Sequence, residues 1–195
     1  MTPDIIAAFR TGVLRARELE ARGVSRTQLS RWVAAGEVVR VARGLYALPE
    51  REVGEHEAIV HAAARVDGAI LCLLSALRVH QLTTQNPSEV WLALPRSART
   101  PRLDWPPLRV VRWSGAALTE GVVVQNIDGL PVRMTTPART VADCFKHRSA
   151  VGIDVAIEAL RDYRRTRAGS IDALMDAACV CRVQRVMQPY VEAIT

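Results

Sequence analysis

Ser25-Arg26-Thr27-Gln28-Leu29-Ser30-Arg31-Trp32-Val33 decides the reading of this chain. A serine followed three residues later by glutamine fits a helix-opening capping box, in which each side chain satisfies an orphan amide of the first turn. Leu29, Trp32 and Val33 then recur at i, i+3 and i+4, so one face of the helix turns inward. Gly36 closes it. The outward face carries Arg26, Thr27, Gln28, Ser30 and Arg31, with Ser25 at its start, and no acidic residue lies between Val24 and Gly36. These side-chain types contact phosphates and base edges, and a helix N-terminus adds amide donors for a phosphate.

Two shorter helices are expected upstream. Thr2-Pro3-Asp4 supplies a hydroxyl cap, a proline at the first helical position and an acid in the first turn. Ile5, Ile6 and Phe9 follow at helical spacing, and Gly12 ends the element. A second helix is expected over 15–22, with Leu14 and Leu19 inward and Gly23 past its end. Downstream, residues 38–41 and 45–48 read as strands around the turn Arg43-Gly44. Three short helices and a two-stranded ribbon follow the order of a winged helix-turn-helix. In that arrangement Arg40 and Arg43 reach backbone phosphates or an adjacent minor groove. Both also have potential ion-pair partners in Glu18, Glu20 and Glu37. The candidate DNA-binding set is therefore Ser25, Arg26, Thr27, Gln28, Ser30, Arg31, Arg40 and Arg43.

Pro49 and the charged residues 50–57 look like a seam. Beyond it, residues 58–66 and 69–79 read as helices, and 89–94, 108–113, 122–125 and 130–134 as strands. Asn126-Ile127-Asp128-Gly129 joins the last two as a hairpin signal. Thr136-Pro137 opens a helix to about residue 146, and the remainder reads as helices over 151–166, 171–181 and 183–193. The expected fold class is α+β. A winged helix-turn-helix over 1–50 precedes an α/β domain over 55–195, with a small mixed sheet and a helical tail.

Composition agrees with a folded, polyanion-seeking protein. Of 195 residues, 49% are hydrophobic and 24% charged, and the net charge is +6. Lys146 is the sole lysine among the 26 basic residues; the others are arginines, which fork onto phosphate and guanine where lysine acts as a point charge. Residues 54–195 balance 17 basic against 14 acidic side chains, which suits a protein-facing surface better than a polyanion track. The first twenty residues lack an apolar signal-peptide core, and the longest apolar run, 69–74, is too short to span a membrane. A reducing cytoplasm is expected, since Cys72, Cys144, Cys179 and Cys181 show no disulfide-framework spacing.

Other chemistries find less support. Cys144-x-x-His147 and Cys179-x-Cys181 hold four possible zinc ligands, but the paired C-x-x-C spacing is missing and no metal or other cofactor is expected. No nucleophile elbow, Walker loop or H-E-x-x-H occurs, and Lys146 follows Cys144-Phe145 instead of the acidic-x-Lys of restriction-like nucleases; no catalytic residue is assigned. Arg139 and Asp143, one helical turn apart, form either a pair that pins a helix or part of a partner-facing surface.

The stretch Gly23-Val24-Ser25-Arg26, Leu29, Trp32-Val33, Gly36 and Arg40-Val41-Ala42-Arg43-Gly44-Leu45-Tyr46 resembles the N-terminal domain of AbiE-type (AbiEi family) antitoxins. The segment Leu130-Pro131-Val132 before Thr136-Pro137-Ala138-Arg139-Thr140-Val141-Ala142-Asp143 is similar to their C-terminal domain, so the resemblance runs over about 1–147. It implies an autorepressor acting on double-stranded DNA at inverted repeats in its own promoter. It also implies an antitoxin that counters a nucleotidyltransferase-like toxin, with Arg139 and Asp143 as candidate antitoxin residues. The Gly-Ser and Asp-x-Asp signature of such toxins is missing here, because Gly169-Ser170 leads only to Asp172 and Asp176. Two alternatives remain: a regulator whose C-terminal domain senses a ligand or partner, and a DNA-processing accessory protein or divergent nuclease.

Overall fold

A computed structural model describes residues 2–10, 12–51 and 54–194. The fold is α+β and divides into two compact units, residues 1–67 with 125–132, and 68–124 with 133–195. The first unit thus takes in a further helix and a hairpin tip besides residues 1–50.

In the first unit, α1 (Pro3–Arg10) buries Ile5, Ala8 and Phe9. A short strand β1 (Leu14–Arg15) intervenes before α2 (Ala16–Ala21), where the sequence predicts a helix beginning at Arg15. Two residues are too few to show a strand period. The chain then turns through Gly23, at φ +84°, into α3 (Arg26–Ala34). Ser25 caps α3, its Oγ accepting the Gln28 amide at 3.1 Å. The side-chain half of the capping box, from Gln28 back to Ser25, is not formed. Strands β2 (Val39–Ala42) and β3 (Leu45–Ala47) form the ribbon, turning at Gly44 (φ +76°) with a register shift between Arg40 and Ala42. β1 pairs antiparallel with β3, Leu14 opposite Tyr46. Ile5, Phe9, Leu14, Leu19, Val24, Leu29, Trp32 and Val38 fill one core beneath these elements. Helix α4 (Glu57–Arg65) belongs to the same unit, where the Arg15 guanidinium donates to the Ala63 carbonyl at 2.9 Å. Asp128 also belongs here: its carbonyl accepts the Val13 amide at 2.9 Å.

The second unit is built on a five-stranded sheet ordered β6-β5-β4-β8-β7. Its strands are β4 (Ile70–Leu71), β5 (Val90–Pro95), β6 (Leu108–Trp113), β7 (Val122–Ile127) and β8 (Leu130–Thr135). β4 pairs antiparallel with β5 and parallel with β8, and β5 with β6 is parallel, so the sheet is mixed. The helix expected over 69–79 is corrected: Ile70–Leu71 is strand, and helix α5 (Leu73–Val79) starts after it. A strand buried on both faces reads as a continuous apolar run, and this one merges with the apolar start of the helix behind it. The hairpin signal is realised as a two-residue turn, with Asp128 and Gly129 both at positive φ.

Helices α6 (Pro137–Lys146), α7 (Arg148–Val151), α8 (Ile153–Arg165), α9 (Ile171–Cys181) and α10 (Gln184–Ala193) complete the chain. The helix expected over 151–166 is α8, which starts two residues later because Gly152 at φ +96° separates it from α7, a short helix the sequence reading does not include. Thr136 caps α6 ahead of Pro137, its side chain accepting the Arg139 amide. Trp91, Trp113, Phe145, Leu160 and Tyr163 contribute the bulk of a core that β5 and β6 share with α6 and α8. Among the described residues no helix is long and apolar enough to cross a membrane.

Candidate nucleic-acid interface

In the first unit, α3 and the ribbon enclose a groove of ≈ 470 Å³. Arg26 and Ser30 reach it from α3, and Arg40 and Arg43 from β2 and the turn that follows it. Leu29, Val33 and Tyr46 form its apolar walls. The geometry follows from the sequence: burying Leu29 and Trp32 leaves Arg26 and Ser30 on the flank that faces the ribbon. Tyr46 sits opposite Arg40 in the β2–β3 register and so comes into the same wall.

Four of the eight candidate residues, Arg26, Ser30, Arg40 and Arg43, thus converge on one concave, cationic surface. Thr27, Gln28 and Arg31 are solvent-exposed on α3 outside the groove lining, and Ser25 is engaged as the helix cap. The walls Ala16, Leu29, Val33 and Tyr46 were not singled out as site residues. Tyr46, an aromatic facing an arginine on a two-stranded ribbon, carried the one signal that pointed there.

Among the described residues the glutamates named as alternative partners of Arg40 and Arg43 are not paired with them. Neither of these arginines makes an ion pair there, whereas Glu20 holds Arg26, with Oε1 2.7 Å from Nε. Glu18 accepts the Arg15 amide at 2.9 Å. Both members of the Arg26–Glu20 pair are exposed, the guanidinium at 88%, so solvent competes for it freely.

In the second unit Arg139 and Asp143 are enclosed by protein. Arg139 Nε donates to Asp143 Oδ2 at 3.0 Å, Nη1 to the Glu120 carbonyl and Nη2 to the Ala117 carbonyl, and the guanidinium lies 4.9 Å over the Trp113 ring. The Cys181 thiol donates to Asp143 Oδ1 at 3.1 Å. Burial pushes the Asp143 carboxyl up while Arg139 pulls it back. Gly121 makes this packing possible, since a Cβ there would stand 2.9 Å from Arg139 Cβ.

The four zinc-type ligands are not gathered into a metal-holding group among the described residues. Cys144 and Cys181 are buried and Cys179 is exposed. Burial raises the Cys144 thiol well above its ordinary value, as it does Cys181, which keeps both protonated.

Residues 1–49 match the family described as transcriptional regulator, AbiEi antitoxin. The AbiEi resemblance drawn from the sequence is thereby shown for the segment that builds the groove. No curated protein matches the chain. Among solved structures, the crystal structure of the RV2827C protein from Mycobacterium tuberculosis is similar, with a TM-score of 0.53 at 14% identity. The likeness covers 94% of this chain and 76% of that one. At that identity it is a likeness of fold, and it extends well past the AbiEi-matching segment.

Proposed function

We propose that this protein is a DNA-binding transcriptional autorepressor whose first fifty residues act as a winged helix-turn-helix. Helix α3 is the recognition helix and β2–β3 the wing. The observation that carries this reading is the convergence of Arg26, Ser30, Arg40 and Arg43 on one groove between helix and ribbon. The element order α1-β1-α2-α3-β2-β3 and the AbiEi match over 1–49 support it. In this reading Arg26, Gln28 and Arg31 read base edges in the major groove, while Arg40 and Arg43 grip phosphates. The DNA is an inverted repeat in the protein's own promoter.

The second half of the proposal is that residues 55–195 supply an antitoxin activity against a nucleotidyltransferase-like toxin in the cytoplasm, without catalysis of their own. The burial of Arg139 and Asp143 supports a structural part for this pair, since neither side chain is exposed enough to meet a partner.

Fluorescence anisotropy on the promoter duplex tests the DNA reading. Losing a bidentate base contact costs about 1–3 kcal/mol and relaxes preference at one position, whereas losing a phosphate contact weakens all sequences alike. Unchanged binding after combined Arg26→Ala, Arg31→Ala and Arg43→Ala rejects the assignment. Co-expression with the neighbouring toxin, scored for growth beside a promoter reporter, tests the division of labour. If every variant that loses repression also loses protection at matched protein levels, there is no separate antitoxin domain.

A further inference from the structure

A cleft of ≈ 540 Å³ in the second unit is lined by Lys146, Arg148, Ser149, Ile153 and Tyr190. It lies where the end of α6, the short α7, the start of α8 and α10 come together. Lys146 and Arg148 make no ion pair among the described residues. Arg148 Nη1 donates to the Phe145 carbonyl at 3.0 Å, which fixes the guanidinium at the rim. Ser149 adds an exposed hydroxyl. The acid next to the lining, Asp154, turns its carboxylate back onto Gly152.

The opposite wall is apolar. The Tyr190 ring rests against Phe145 with centroids 5.3 Å apart, and Ile153 is 38% exposed. The volume falls in the range of small-molecule sites, about 300–1,000 Å³. Two unpaired cations and a hydroxyl suit a dianion with several acceptor oxygens, and the aliphatic and aromatic side chains suit a compact apolar body beside it. The one position in this chain where a basic residue is lysine also falls here. Lysine's compact ammonium, with three rotatable donors, adds a point charge beside the bidentate fork of Arg148.

We propose that this cleft binds a small phosphomonoester carrying an aromatic or aliphatic group, and that it does so independently of the DNA groove. Lys146 and Arg148 hold the phosphate, Ser149 donates to it, and Ile153 and Tyr190 cover the apolar body.

The sole lysine provides a site-specific probe. Reductive methylation of the protein with ¹³C-formaldehyde labels Lys146 and the N-terminal amine, whose resonance serves as the internal control. The Lys146 dimethylammonium keeps its charge and one N–H donor, and calorimetry on the unlabelled protein checks the affinity. Phenyl phosphate is expected to shift the Lys146 resonance saturably, at least about fivefold more tightly than inorganic phosphate, because the ring is buried as well as the anion charge-paired. Phenol alone is expected to give no saturable shift. Arg148→Gln and Ser149→Ala should each weaken phenyl phosphate, while Arg40→Ala with Arg43→Ala should leave it unchanged. A shift that never saturates, equal affinity for phosphate and phenyl phosphate, or affinity untouched in both Arg148→Gln and Ser149→Ala overturns the proposal. A response lost with Arg40 and Arg43 assigns the anion to the DNA groove and overturns it as well.

Discussion

Arg139 and Asp143 close a 3.0 Å ion pair one turn apart on α6 with side chains 1% and 0% exposed. Removing one partner leaves an uncompensated charge in the core, whereas removing both with apolar side chains does not. Arg139→Met is expected to lower the unfolding free energy by about 3–5 kcal/mol. The double variant Arg139→Met with Asp143→Leu should lose less than either single change. Urea unfolding of the three variants checks this, and a double variant that simply sums the single losses contradicts it.

On the proposed reading of α3, Glu20 competes with DNA for Arg26. Glu20→Gln releases the guanidinium and removes a negative charge beside the groove. Affinity for any duplex should rise roughly two- to fivefold, the scale of an exposed ion pair. Anisotropy at fixed ionic strength measures it, and weaker binding by the variant would show that the pair orients Arg26 productively.

Burial holds the imidazoles of His80 and His147 below their ordinary value; at His80 this acts against the Thr135 carbonyl, which accepts its Nε2–H at 2.7 Å. Burial does the same to His61. Below about pH 6.5 the unfolded chain takes up protons that the folded one refuses. The histidine contribution to stability is therefore complete above that pH and is lost as pH falls through the lower folded-state values. Denaturation midpoints at pH 7.5 and 5.5 should differ in that direction, and His80→Gln should shrink the difference. A midpoint that rises on acidification contradicts the argument.

Gly12→Ala is expected to be among the most damaging substitutions in the first unit. Gly12 sits at φ +131°, and a Cβ there would lie 1.8 Å from the Asp128 carbonyl oxygen, which is backbone and has little freedom to move. The strained conformation alone costs on the order of 1–3 kcal/mol, before the clash is relieved. Thermal melting of the variant tests it, with Gly23→Ala as the control. Gly23 shares a positive φ but has nothing within 4 Å of the added carbon, so a larger loss there would invert the expectation.

What could be read in the residues depended on whether local chemistry or distant packing decided each feature. Ser25 and Thr136 announced the starts of α3 and α6 because a cap is a contact three residues long. Asp128-Gly129 announced its turn because two consecutive positive φ values favour few residue types. Ile70–Leu71 gave no such signal, since its strand character comes from β5 and β8 on either side. The site divided in the same way. Helical spacing showed that Arg26 and Ser30 face away from the core, but the pairing of Arg26 with Glu20 depended on how α2 lies against α3. For Arg139 and Asp143 the four-residue spacing was visible, whereas their enclosure under Trp113, Glu120 and Cys181 came from residues up to 38 positions away in sequence.

The bond from the Val13 amide to the Asp128 carbonyl has a consequence in time. Its two ends are 115 residues apart (13 to 128), and at about 5–20 residues per second the ribosome delivers the second roughly 6–23 s after the first. Through that interval the nascent helices and ribbon must hold together on short-range contacts alone, as Phe9, Leu19, Leu29 and Trp32 allow. The last residues to join the first unit reach it only after most of the sheet of the second has been synthesised. Vectorial synthesis therefore makes completion of the N-terminal unit a late event in the life of the chain.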